Sequence, residues 1–194
     1  MRYFLGILVI FSLILAISAE IKAEETQSRV LFHGHKELFQ GWSMSAWSIF
    51  PNISQSRNNL VVVGPSFYQE NRYVEVMIGQ VAKEQGRGIF LFNIRGFYKF
   101  PLFHAWAEVE YFPEEQNLYW FAQLDRPISV KGKFLGKIGV ETENTHFLKT
   151  GKNSLGFGPH LIFPVADNLT IITAYQWRRG HEKDFVRFYT VIDF

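Results

Sequence analysis

The sequence predicts an all-β fold: a closed antiparallel up-and-down barrel of about ten strands, with eight or twelve left open. Three observations predict it. Ten runs between Gly41 and Phe194 alternate apolar and polar side chains in period two, the mark of a strand with two unlike faces. Turn chemistry separates every run from the next. No run after residue 23 sustains a 3.6-residue period, so the chain needs no helix there.

The amino terminus is excluded from that fold. Residues 1–23 read as a signal peptide, with Arg2 as a short positive start, an apolar run from Phe4 to Ile17, and small residues at Ser18 and Ala19. The run is shorter than the roughly 18–20 residues a membrane-spanning helix needs. Cleavage fits after Ala19 or Ala23. Residues 24–40 are polar and then mixed without a steady period, which reads as a periplasmic lead-in or a short extra strand. His33 and His35 would share one face of a strand, but two imidazoles do not define a metal site, and none is assigned.

The barrel domain is expected over residues 41–194. Its runs are 41–50, 59–68, 73–82, 88–100, 103–112, 117–126, 134–147, 154–164, 168–178 and 184–194. The breaks hold Pro51-Asn52, Gln85-Gly86-Arg87, Pro101-Leu102, Arg126-Pro127, Ala166-Asp167-Asn168 and similar turn formers. In the run 88–100, Phe90, Phe92, Ile94, Gly96, Tyr98 and Phe100 share one face, while Asn93, Arg95 and Lys99 lie on the other. In the run 103–112, Phe103, Ala105, Ala107, Val109 and Tyr111 oppose His104, Trp106, Glu108 and Glu110. If Pro101-Leu102 is a hairpin turn, Phe100 faces Phe103 and Arg95 faces Glu108, which brings opposite charges together across strands.

Composition narrows the function classes. Hydrophobic residues make up 47% of the 194-residue chain and aromatics 17%, including 20 Phe, while the net charge is only +2. With no basic cluster beyond Arg178-Arg179, nucleic acid is not an expected partner. Cysteine is absent. That removes disulfides, thiolate metal sites and a Cys nucleophile, and an exported chain without disulfides suits a Gram-negative cell envelope. Asn52-Ile-Ser54 and Asn168-Leu-Thr170 match the glycosylation pattern but read there as turn residues.

Period two alone would also suit a soluble sandwich. Runs of about ten residues, however, match the 9–11 that a tilted strand needs to cross a bilayer, and aromatics gather at run ends as interfacial girdles would. Trp42 and Phe50, Tyr111 and Phe112, and Tyr175 and Trp177 are the examples. The last run, Asp184–Phe194, places Val186, Phe188, Thr190, Ile192 and Phe194 on one face. Arg187, Tyr189, Val191 and Asp193 fall on the other. This strand resembles the C-terminal strand of bacterial outer-membrane β-barrels, whose terminal Phe with apolar residues at every second position serves as an assembly signal. The resemblance implies that Phe188, Thr190, Ile192 and Phe194 form that signal, with outer-membrane lipids and the barrel-assembly machinery as partners. A membrane sheet must close to satisfy its edges, and an even strand number would bring both chain ends to the periplasmic side. Short loops near Asn52–Asn58, Lys83–Arg87, Pro113–Asn117, Thr150–Asn153 and Arg179–Asp184 would then face outward.

The opposite face would line the interior. Its charges are Glu75, Arg95, Lys99, Glu108, Glu110, Asp125, Lys137, Glu141, Glu143, Arg178, Arg187 and Asp193, close to balance. They read as an ion-pair network in a narrow lumen or as the lining of a pore; an anion channel would want an excess of Arg and Lys that is missing. The expected function is a structural or narrow-channel, porin-like outer-membrane protein with no cofactor and no metal. Two alternatives remain open. A soluble lipocalin-like barrel would turn the apolar face inward around an apolar ligand, although Gly41-Trp42 does not meet that family's Gly-x-Trp spacing. An outer-membrane lipid-modifying enzyme would need a His beside a Ser or an acid. Its candidates are His104, His146, His160 and His181 with Ser154, Glu141 or Glu143, and Glu108-Val-Glu110 could pair an acid with a base. No catalytic set is assigned.

Overall fold

A computed structural model describes residues 25–50, 58–83, 88–179 and 183–194. The expected signal peptide, the loops at 51–57 and 84–87, and His181 lie outside the described residues.

Among the described residues, eleven strands form one closed barrel. They are β1 (Glu25–Phe39), β2 (Trp42–Phe50), β3 (Asn58–Gln69), β4 (Arg72–Lys83), β5 (Ile89–Lys99), β6 (His104–Phe112), β7 (Asn117–Val130), β8 (Lys133–Phe147), β9 (Lys152–Ala166), β10 (Leu169–Arg179) and β11 (Phe185–Asp193). Each strand pairs antiparallel with its neighbour in sequence, and β1 closes the ring by pairing parallel with β11. Among the described residues there is no helix.

The closure corrects two expectations. The segment read as a lead-in or a short extra strand is a strand of 15 residues, and the barrel is mixed with eleven described strands rather than antiparallel with about ten. An odd number of alternating strands forces the first and last to run the same way. Residue 25 therefore lies at the opposite end of the barrel from Phe194. The seam is held by the ladder from Glu25↔Phe185 to His33↔Asp193, by Phe194 N donating to His33 O at 2.9 Å, and by Phe194 stacked on Phe32 at 6.2 Å.

One end of the barrel carries the tight connections. Gln40-Gly41, Glu70-Asn71, Lys131-Gly132 and Asp167-Asn168 each join two strands there, as does the stretch from Phe100 to Phe103. Lys131 and Gly132 both take positive φ (51° and 74°), the mirror-image turn whose twist matches flanking strands. Phe100 N donates to Phe103 O at 2.8 Å, and this turn sets the register that places Arg95 opposite Glu108. The other end bears Pro113–Gln116, Leu148–Gly151 and the remaining strand ends.

Alternation then sorts the side chains. On β5, Ile89, Leu91, Asn93 and Arg95 are buried, while Phe90, Phe92 and Ile94 are exposed. One pairing of aromatics is corrected here. Tyr111 is exposed, but Phe112 packs against the buried cluster inside, because neighbours in a strand cannot share a face. That cluster is apolar and sits against β2–β5: Trp47, Ile49, Leu60, Val62, Met77 and Leu91.

Candidate functional site

The interior holds three polar groupings, each built from alternate residues of adjacent strands. Near the turn end, Glu75 accepts from Trp47 Nε1 at 3.0 Å and from the Tyr68 hydroxyl at 2.7 Å, and His33 Nε2 lies 3.5 Å away. His33 also meets Asp193 across the seam at 3.0 Å and stacks on Trp47 at 4.1 Å. Inward Ser45 and Ser66, bonded to each other at 2.9 Å, are small enough to leave room for these rings.

The second grouping lies on β5 and β6. Arg95 donates to Glu108 through Nε at 2.6 Å, with Nη2 2.5 Å from the same carboxylate oxygen, and its guanidinium lies 4.5 Å over the Trp47 ring. Asn93 Nδ2 bridges two carboxylates, Glu108 at 2.6 Å and Glu110 at 3.0 Å.

The third spans β7–β11 and β1. Glu143 meets Arg187 Nη2 at 2.5 Å, bonds Arg178, and has Arg29 at 3.9 Å. Glu141 accepts from Gln176 Nε2 at 2.5 Å, with Arg187 Nη1 at 3.6 Å. Asp125 bonds His160 Nε2, and His160 Nδ1 lies 3.7 Å from Glu141. Glycines make the space for these long side chains. A Cβ at Gly139 would sit 2.7 Å from His160 Nε2, and one at Gly156 would sit 2.4 Å from Gln176 Oε1.

Of the charges expected inside, Glu75, Arg95, Glu108, Glu110, Asp125, Glu141, Glu143 and Arg187 are buried. Arg178, Lys137 and Asp193 are half-buried, and Lys99 is exposed at the turn end. Sequence reasoning missed Arg29 and the role of His33, because both lie on a strand taken for a lead-in. It placed Asn93 on the inner face, yet only the cross-strand register reveals what Asn93 and Gln176 bind.

Among the described residues, none of the candidate histidines is placed beside Ser154. Ser154 Oγ accepts from Arg178 Nη1 at 2.6 Å. His160 lies six residues further along the same strand, about 20 Å at the rise of an extended chain. His146 is on the opposite face from Ser154, since its cross-strand neighbour is Asn153, and His104 is at the other end of the barrel. No group of three or more His, Asp or Glu arranged to hold a metal ion occurs among the described residues.

Between the groupings runs a cavity of about 1010 Å³. It reaches from Glu70 and Arg72 at the turn end to Phe112 and Glu115 at the loop end. Its walls are largely apolar and aromatic, interrupted by Arg29, Glu108, Glu110, Asp125 and Lys137. Comparison with protein-family models, curated proteins and solved structures yields no match to this chain.

Proposed function

We propose that this protein is an outer-membrane β-barrel, inserted with its apolar outer face in lipid and its charged groups paired inside a narrow lumen. One observation carries the reading: the faces are sorted the wrong way round for a barrel in water. The outward side chains of the middle of the barrel are aliphatic, with Val76 52%, Ile94 53% and Val140 58% exposed, while the carboxylates and guanidiniums are turned inward. A soluble monomer rarely exposes contiguous apolar patches beyond a few hundred Å². Aromatic contacts cluster towards both rims, as interfacial girdles would. Phe39–Trp42, Trp42–Phe67 and Phe100–Phe103 meet near the turn end, and Phe90–Phe92 and Phe157–Trp177 near the loop end.

In this orientation the turn end and Phe194 face the periplasm and the loop end faces out. Lipid and the assembly machinery are the partners, with Phe188, Thr190, Ile192 and Phe194 on the lipid side of β11 as the assembly signal. The interior serves as a structural core or a narrow channel.

Cell fractionation and electrophoresis with and without boiling test this. A closed barrel keeps its ladder in detergent until heated, because it has no fraying edge. Outer-membrane recovery with a heat-dependent mobility shift supports the reading. Recovery in the soluble periplasm refutes it and favours a soluble barrel.

A further inference from the structure

We infer that the barrel interior binds a single-chain organic ammonium, its cationic head held at Glu108 and Glu110 and its apolar tail laid along the cluster beneath the loop end. Charge supplies the first argument. The inner face of β4–β6 presents Glu75, Glu108 and Glu110 against one guanidinium, Arg95. Glu75 is engaged by His33, Tyr68 and Trp47, and Arg95 binds Glu108. Glu110 is buried, accepts from Asn93, lies within hydrogen-bond reach of Glu108, and has no salt-bridge partner among the described residues. Two carboxylates sharing one Asn amide and one Arg leave a site that a further cation completes.

The surroundings specify what kind of cation. Both carboxylates line the cavity, and across the β6–β7 ladder Tyr119 stands opposite Glu110 and Phe121 opposite Glu108. Aromatic faces beside carboxylates suit a weakly hydrated alkylammonium, whereas a hard divalent ion wants six or more oxygen ligands. One step towards the loop end, Phe112 and Leu91 continue into Leu60, Ile89 and Val81. An apolar patch inside a barrel contributes nothing to contact with lipid outside, and it adjoins the unpaired carboxylate. About 1010 Å³ is also room for a drug-sized molecule. The cavity lies inside the ring in any medium, so this inference does not rest on the membrane assignment.

The test is calorimetric titration of the full barrel, in phosphatidylcholine nanodiscs where it fractionates with the membrane and in buffer where it fractionates as soluble, with heats from the matching blank subtracted. The probes are octyltrimethylammonium and, as its anionic counterpart, octane-1-sulfonate. The cation is expected to give saturable one-to-one binding and the sulfonate none. Glu110→Gln, which keeps shape and removes charge, is expected to weaken the cation at least tenfold. Val81→Phe, which narrows the apolar end and leaves the charges untouched, should weaken it several-fold and serves if Glu110→Gln does not fold. Equal binding of both probes, or affinity unchanged in a variant that keeps its heat-dependent shift, overturns the proposal. So does the absence of saturable heat with the native barrel.

Discussion

Replacing Glu143 by Gln is expected to destabilise the barrel by about 3–5 kcal/mol. Glu143 is almost wholly buried and faces three guanidiniums, with Arg187 at 2.5 Å, Arg178 bonded, and Arg29 at 3.9 Å. The hydrogen bond from Arg178 contributes roughly 1.5–3 kcal/mol, and the Arg187 ion pair adds to it. The third is too long to add much. Removing the carboxylate also removes its own desolvation cost, which offsets part of the loss. Against that, Arg187 stays fully buried with Glu141 3.6 Å away as its remaining carboxylate. The balance falls in the range of about 3–5 kcal/mol found when one partner of a buried pair is removed. Urea unfolding in phosphatidylcholine vesicles, followed by tryptophan fluorescence, reads it directly. The double variant Glu143→Gln/Arg187→Met should lose less than the sum of the two single changes, because the second removes the charge the first stranded. A loss under about 1 kcal/mol with no coupling would refute the reasoning and mean that water screens the interior.

Three further outcomes follow from the same geometry. Ile94→Arg, on the outer face at mid-barrel, should cost about 2–4 kcal/mol in a bilayer; a change within about 0.5 kcal/mol in the same urea titration would place that face in water. Gly158→Ala should prevent or severely impair folding, since its Cβ would fall 1.7 Å from Tyr175 O in the adjacent strand; loss of the heat-dependent band checks this, and an unchanged band refutes it. Deleting Phe194 removes its stacking on Phe32 and its bond to His33 O at the parallel seam, so outer-membrane recovery should fall at least several-fold while synthesis is unchanged.

The sequence by itself determined the class of fold and the sorting of faces. A strand repeats every two residues, so Phe90, Phe92 and Ile94 had to part from Asn93 and Arg95 whatever the strands packed against. Local turns carried the same certainty to nearby pairs, as with Arg95 and Glu108 across a short connection. Tertiary structure decided the rest, because the deciding contacts are distant in the chain. The alternation of Glu25–Phe39 is blurred by Ser28, Gly34 and Lys36 on the outer face and Leu31 on the inner. Its hairpin with β2 makes it a strand, and its pairing with β11, some 160 residues away, closes the ring and fixes the odd count. Arg29, Arg178 and Arg187 meet Glu143 only because the ring closes. The cavity is likewise a property of closure: which inward positions are small, and which charges find partners, depends on stagger around the whole barrel rather than on any one strand.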